Sequence, residues 1–136
     1  MGTRFLGSVE AATHEVYRRS LIRAGGEDAI HTTCFDGGWP SAAHRALRNS
    51  TMDRWLAAGS PLAPNRPGEG DVVAVDSQGE PHVRYEDLVP LPDMAGDLEE
   101  MAMYAGQNVA LLNEVLPAGQ IVRTMADEAR RILHWD

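Results

Sequence analysis

The sequence predicts a mixed helix-and-strand chain that does not close into a self-contained fold. Two observations carry this expectation. Helical apolar periodicity is confined to the two ends of the chain, and between them a single stretch reads as a β-hairpin. One hairpin supplies too few strands for a sheet that two or three helices could cover. At 136 residues the chain is one modest domain or part of a larger one.

Each element has its own signals. Ser8 is placed to cap a helix with Glu10 in its first turn. Val9, Ala12, Val16, Tyr17 and Leu21 then follow at helical spacing until Gly25-Gly26, which predicts a helix over 8–24. Ile30, Thr32, Thr33 and Phe35 favour an extended run from Ala29 to Phe35, broken by Asp36-Gly37-Gly38-Trp39-Pro40. Ser50-Thr51-Met52-Asp53 reads as a capping box for a short helix carrying Trp55 and Leu56 and ending at Gly59. Pro61, Pro64, Pro67 and Gly68 make 59–70 a loop. Val72 to Val75 and Pro81 to Tyr85, around Asp76-Ser77-Gln78-Gly79, form the hairpin. Asp97 caps a predicted helix whose Leu98, Met101, Ala102, Ala105, Val109 and Leu112 share one apolar face. Pro117 opens a last helix with a stripe of Ile121, Val122, Met125, Ala129 and Ile132 that is expected to be buried.

Composition narrows the function classes. Twelve basic residues, all arginine, stand against 20 acidic ones, for a net charge of −8. An acidic chain without a basic stripe is a poor nucleic-acid binder. No apolar run is long enough for a signal peptide or a membrane span, so the expected location is the cytoplasm with no membrane partner. The lone Cys34, in an extended apolar run, is expected to be structural. The five histidines (His14, His31, His44, His82, His134) show no metal-ligand spacing, so no metal site is expected, and His44 is expected at the surface.

Two segments carry more chemistry. Gly2-Thr3 combines a small residue and a hydroxyl ahead of a helix start, a pattern that can present N–H and O–H donors to a phosphate. Gly106 falls inside an otherwise apolar helical pattern, where glycine costs about 1 kcal/mol against alanine. It points either to a close helix crossing or to a nearby ligand.

Met1-Gly2-Thr3-Arg4-Phe5-Leu6, the Phe35 to Pro40 turn with Arg45 through Asn49, the Arg66-Pro67-Gly68-Glu69-Gly70 loop and Tyr104-Ala105-Gly106-Gln107 occur in that order. Together they resemble the C-terminal portion of bacterial nitronate monooxygenases, in register from residue 1 to about residue 133. The resemblance implies an α/β fold: the C-terminal part of an FMN-binding TIM (β/α)₈ barrel, incomplete here, with the end of the last strand, mainly helices and one β-hairpin. It divides the single partial domain into 1–30 (strand end and following helix), 31–96 (loops, short helix and hairpin) and 97–136 (a helix pair). It further implies FMN as cofactor, with Met1, Gly2 and Thr3 at its phosphate and Gly106 and Gln107 near the flavin. Alkyl nitronate or nitroalkane and O₂ are the implied substrates, and a complementary barrel fragment the implied macromolecular partner. An FMN-dependent enoyl reductase, an NADH:quinone reductase or a non-catalytic remnant stays open as the alternative. The family's catalytic histidine has no counterpart among the five here, so no catalytic residue is assigned and the chain alone is expected to be inactive.

Overall fold

The structure, a computed structural model, describes residues 2–134. It opens on a helix: Gly2–Leu6 forms α1, a helix of 5 residues, where a strand end was expected at Met1-Gly2-Thr3. Met1 itself lies outside the described residues. The next helix, α2 (Glu15–Arg23), starts later than Ser8 because tertiary pairing claims that residue. Ser8 is buried and bridges Leu116, and the Val9 N–H donates to the Leu116 carbonyl at 3.1 Å. His14 caps α2 instead, its Nδ1 accepting from the Val16 N–H at 3.1 Å. Tyr17 and Leu21 face inward as their spacing predicts.

Ala29–Thr32 (β1) is the expected extended run, cut short of Phe35. It pairs antiparallel with His44–Leu47 (β2), a strand the sequence reading did not contain, in the register Ala29↔Leu47 through Thr32↔His44. Ser50–Ala57 (α3) is the expected short helix, capped one residue earlier by Asn49, whose side chain accepts from the Met52 N–H. The hairpin is present as Val72–Val75 (β3) and Pro81–Val83 (β4), and Ala95–Gly96 (β5) adds to the free edge of β3. Two small sheets thus replace one hairpin, and the described residues contain no closed barrel.

The predicted helix over 97–112 does not form. Only two 3₁₀ turns, Leu98–Glu100 and Gln107–Leu111, occur there, so the expected C-terminal helix pair is one helix, α4 (Ala118–Leu133). The segment between the turns is extended because the second edge of β2 pairs with it. The Leu47 N–H donates to the Met103 carbonyl at 2.8 Å and the Ala105 N–H to the Arg45 carbonyl at 3.1 Å. Successive side chains of this segment enter three different clusters: Met101 packs with Val73 and Leu98, Ala102 with Phe35 and Trp55, and Met103 with Tyr17 and Leu21. A chain buried on every side suits an inner strand better than a one-faced helix. Of the stripe predicted on α4 only Ile121 is buried; Val122 and Ile132 are exposed.

Candidate functional site

The pairing of β2 with 103–105 presents Tyr104 and Gly106 beside α1. Gly2, Thr3, Leu6, Arg45, Tyr104, Ala105 and Gly106 line one depression of about 360 Å³. One bond ties its two sides: the Gly106 N–H donates to Thr3 Oγ1 at 2.9 Å. Accepting that bond leaves the Thr3 hydroxyl hydrogen free to donate elsewhere. Three of the sequence-predicted residues, Gly2, Thr3 and Gly106, therefore share a wall although Thr3 and Gly106 lie 103 positions apart. Gln107 is exposed and does not line the depression, and Met1 is outside the described residues.

Gly106 is not in mid-helix, so neither the helix-interior cost nor a helix crossing applies to it; it precedes a 3₁₀ turn with φ −78°. A Cβ there would meet only Thr3 Oγ1, at an ordinary 3.5 Å, and a Cβ at Gly2 would meet nothing within 4 Å. Neither glycine is required by conformation or by packing within the described residues.

Two wall residues were not singled out for a role from the sequence. Arg45 projects from β2 and donates through Nη1 to the Ala29 carbonyl at 2.6 Å. Tyr104 is pinned on three sides. Its ring meets the His44 ring edge-on at 5.3 Å, its hydroxyl donates to the Asp87 carbonyl at 3.0 Å, and its own carbonyl accepts from the Tyr17 hydroxyl at 2.5 Å. Burial, and then the Asp87 charge, push the Tyr104 phenol up to about 12. His44 is half-buried, not superficial, with Nδ1 held by the Ala42 carbonyl. The signal that could have found Arg45 was strand β2 itself, which the sequence hides because half of its four residues, His44 and Arg45, are polar.

The Phe35 to Pro40 turn and the Arg66 loop meet elsewhere. Arg66 is ion-paired to Asp36 at 2.6 Å and to Glu69, and its guanidinium lies 4.4 Å above the Tyr85 ring. The Tyr85 hydroxyl donates to the Pro67 carbonyl at 2.8 Å. Cys34 is fully buried beside this knot, and burial, partly offset by Arg66, pushes its thiol up to about 12. Among the described residues no group of three histidine, cysteine or acidic side chains could hold a metal ion, and no helix is long and apolar enough to cross a membrane.

The nitronate monooxygenase family model matches residues 1–128. The chain belongs to this family. It is 28% identical over 138 aligned positions to a nitronate monooxygenase of Neurospora crassa, covering 96% of this chain and 31% of that protein. Its fold is similar to FabK from Thermotoga maritima, with a TM-score of 0.58 at 20% identity, covering 98% of this chain and 37% of that one. A mutant of the same FabK gives a TM-score of 0.55 at 21% identity, covering 98% and 33%. This nitronate monooxygenase family chain thus spans about a third of the length of the relatives it matches. The partial α/β architecture, with few strands, agrees with the incomplete barrel expected from sequence.

Proposed function

We propose that this chain supplies the phosphate-side wall of an FMN site in an oxidoreductase that oxidises alkyl nitronates with O₂. The observation that carries the reading is the pair of glycines, Gly2 and Gly106, which sit on one wall and leave open space that no packing within the described chain requires. Glycine lets a backbone approach a ligand closely, and a short extra helix beside the last barrel loops is a recurrent phosphate position. The donor set fits the group: the free Thr3 hydroxyl hydrogen suits an anionic tail, and Arg45 lines the same depression.

Bound FMN would supply the electron chemistry between the nitronate and O₂. The chain's own residues bind and orient. Thr3 holds its proton on Oγ1 for the phosphate while its lone pair anchors Gly106. Tyr104 keeps its phenol protonated at neutral pH and gives a fixed wall. No residue here is assigned a proton-transfer role, which belongs to the two thirds of the family's length that this chain does not span.

The test is a chimera in which this chain replaces the matching third of the Neurospora crassa relative. It should purify yellow and consume O₂ with alkyl nitronate, whereas the 136-residue chain alone should purify colourless. Gly2→Val should strip flavin from the chimera. Stoichiometric flavin on the short chain, or an unaltered flavin content in the Gly2→Val chimera, would overturn the reading.

A further inference from the structure

We propose that α4 pairs antiparallel with α4 of a second copy of this chain, making the protein a two-fold dimer. Helix α4 is 16 residues long, and only Ile121 of it is buried. It is held at its start, where the Ala118 N–H donates to Glu10 Oε2 at 2.8 Å. Beyond that point it carries Val122, Ile132 and Leu133 at 54%, 74% and 61% exposure. A run of apolar side chains left in water on one face marks a surface that something covers. The whole chain exposes 8013 Å², whereas a compact monomer of 14.8 kDa exposes about 7,000 Å². The excess, about 1,000 Å², matches one side of a standard protein interface, which covers about 800 Å² per partner.

The pattern on α4 decides what fits it. Ala118, Val122, Met125, Ala129 and Ile132 recur at spacings of 4, 3, 4 and 3, the seam of a two-helix pairing. Arg123, Asp127, Arg130 and Arg131 all fall off that seam, and Arg130 pairs with Asp127 along the helix at 3.4 Å. Glu128, beside the seam, lines the groove between α4 and the rest of its own chain, as does Arg4. The seam side chains are unequal in size, and reversal matches them. About a two-fold axis level with Asp127, Met125 meets the partner's Ala129 and Val122 meets the partner's Ile132. Each larger side chain then faces a smaller one, and each layer recurs by symmetry. A parallel pair would instead set alanine against alanine at 129, leaving a void, and crowd methionine against methionine at 125. The seam is complementary to its own reverse, and a second copy is the partner that presents that reverse.

The experiment is sedimentation velocity of the 136-residue chain over a concentration series, which should show a dimer that dissociates on dilution. Val122→Lys and Ile132→Glu each bury a charge in the seam and should weaken association about tenfold or more. Both residues are exposed in the single chain, so circular dichroism and the urea midpoint, read under dilution to monomer, should match the parent. Combining the two substitutions in one chain brings opposite charges together only in an antiparallel pair. The double variant should therefore associate several-fold more tightly than either single one. A chain that stays monomeric throughout, single variants that associate like the parent, or a double variant no tighter than the singles would each overturn the proposal. A monomer that binds the remaining two thirds of the Neurospora crassa relative, and loses that binding with Val122→Lys, would overturn it too and give this face to the rest of a barrel.

Discussion

The residues that carry the family resemblance settle into two places that differ in almost every physical respect. Around Arg66 the structure is closed. The arginine is buried, doubly ion-paired and stacked on Tyr85, and the glycines are sterically committed. A Cβ at Gly37 would lie 2.8 Å from the Tyr85 carbonyl oxygen, and Gly68 holds φ +71° with the Asp71 carboxylate 2.5 Å from its ideal Cβ. Around Thr3 the structure is open: Arg45 has no acidic partner among the described residues, and Gly2 and Gly106 have room for side chains they do not carry. The glycines of these short motifs thus divide into a set committed to packing and a set with room to spare.

The largest expected effect lies in the closed region. Arg66→Ala leaves Asp36 and Glu69 without their counter-charge and strips the face of Tyr85. Breaking a buried pair by removing one partner costs about 3–5 kcal/mol, so urea denaturation should show a collapse of the midpoint or no folded baseline. A loss under about 1 kcal/mol would erase the contrast. Gly37→Ala should come next, at about 1–3 kcal/mol, because a backbone carbonyl must move to admit the methyl group.

Cys34 sharpens the same contrast through pH. Its thiol is raised in the fold to about 12 from an ordinary value near 9, so the unfolded chain releases that proton first. The contribution is fully present below pH 9 and is lost as pH rises toward 12, at up to about 1.4 kcal/mol per pH unit. Cys34→Ala should flatten that part of the stability curve, and native-state labelling by a thiol reagent should proceed only as fast as the region opens. Stoichiometric labelling within the mixing time would place Cys34 outside the closed knot.

What the sequence made legible was burial more than element type. Leu98, Met101, Ala102, Ala105, Val109 and Leu112, read as one helical face, are all buried, yet they lie on 3₁₀ turns and an extended segment. Their spacing fits a helix, but Met103 between them is buried too, and a segment covered on all sides has no amphipathic period to read. Strand β2 was invisible because its four residues include His44 and Arg45, whose pairing depends on partners many positions away. Gly2, Thr3 and Gly106 were found as separate short motifs; that they form one wall follows from a hydrogen bond between residues 103 positions apart. On α4 the reverse holds: the helix is where its apolar period put it, but of the stripe expected to be buried only Ile121 is covered among the described residues.

The smallest effects on stability belong to the open wall. Thr3→Val removes the acceptor for the Gly106 N–H while keeping the shape of the side chain, and should cost about 1 kcal/mol, the net worth of one neutral hydrogen bond. Gly106→Ala and Gly2→Ala should cost less still. The first adds a methyl group at van der Waals distance from Thr3 Oγ1 with an allowed backbone, and the second adds one to open space inside a helix, where alanine is favoured over glycine. Both should stay within about 0.5 kcal/mol of the parent in urea melts, with Gly2→Ala on the stabilising side. In the chimera the same two substitutions should lower FMN affinity, because the space they fill is the space the ligand needs. A Gly106→Ala variant destabilised by more than about 1 kcal/mol would show that this glycine belongs with Gly37 as a packing residue. The open wall would then be one more closed one.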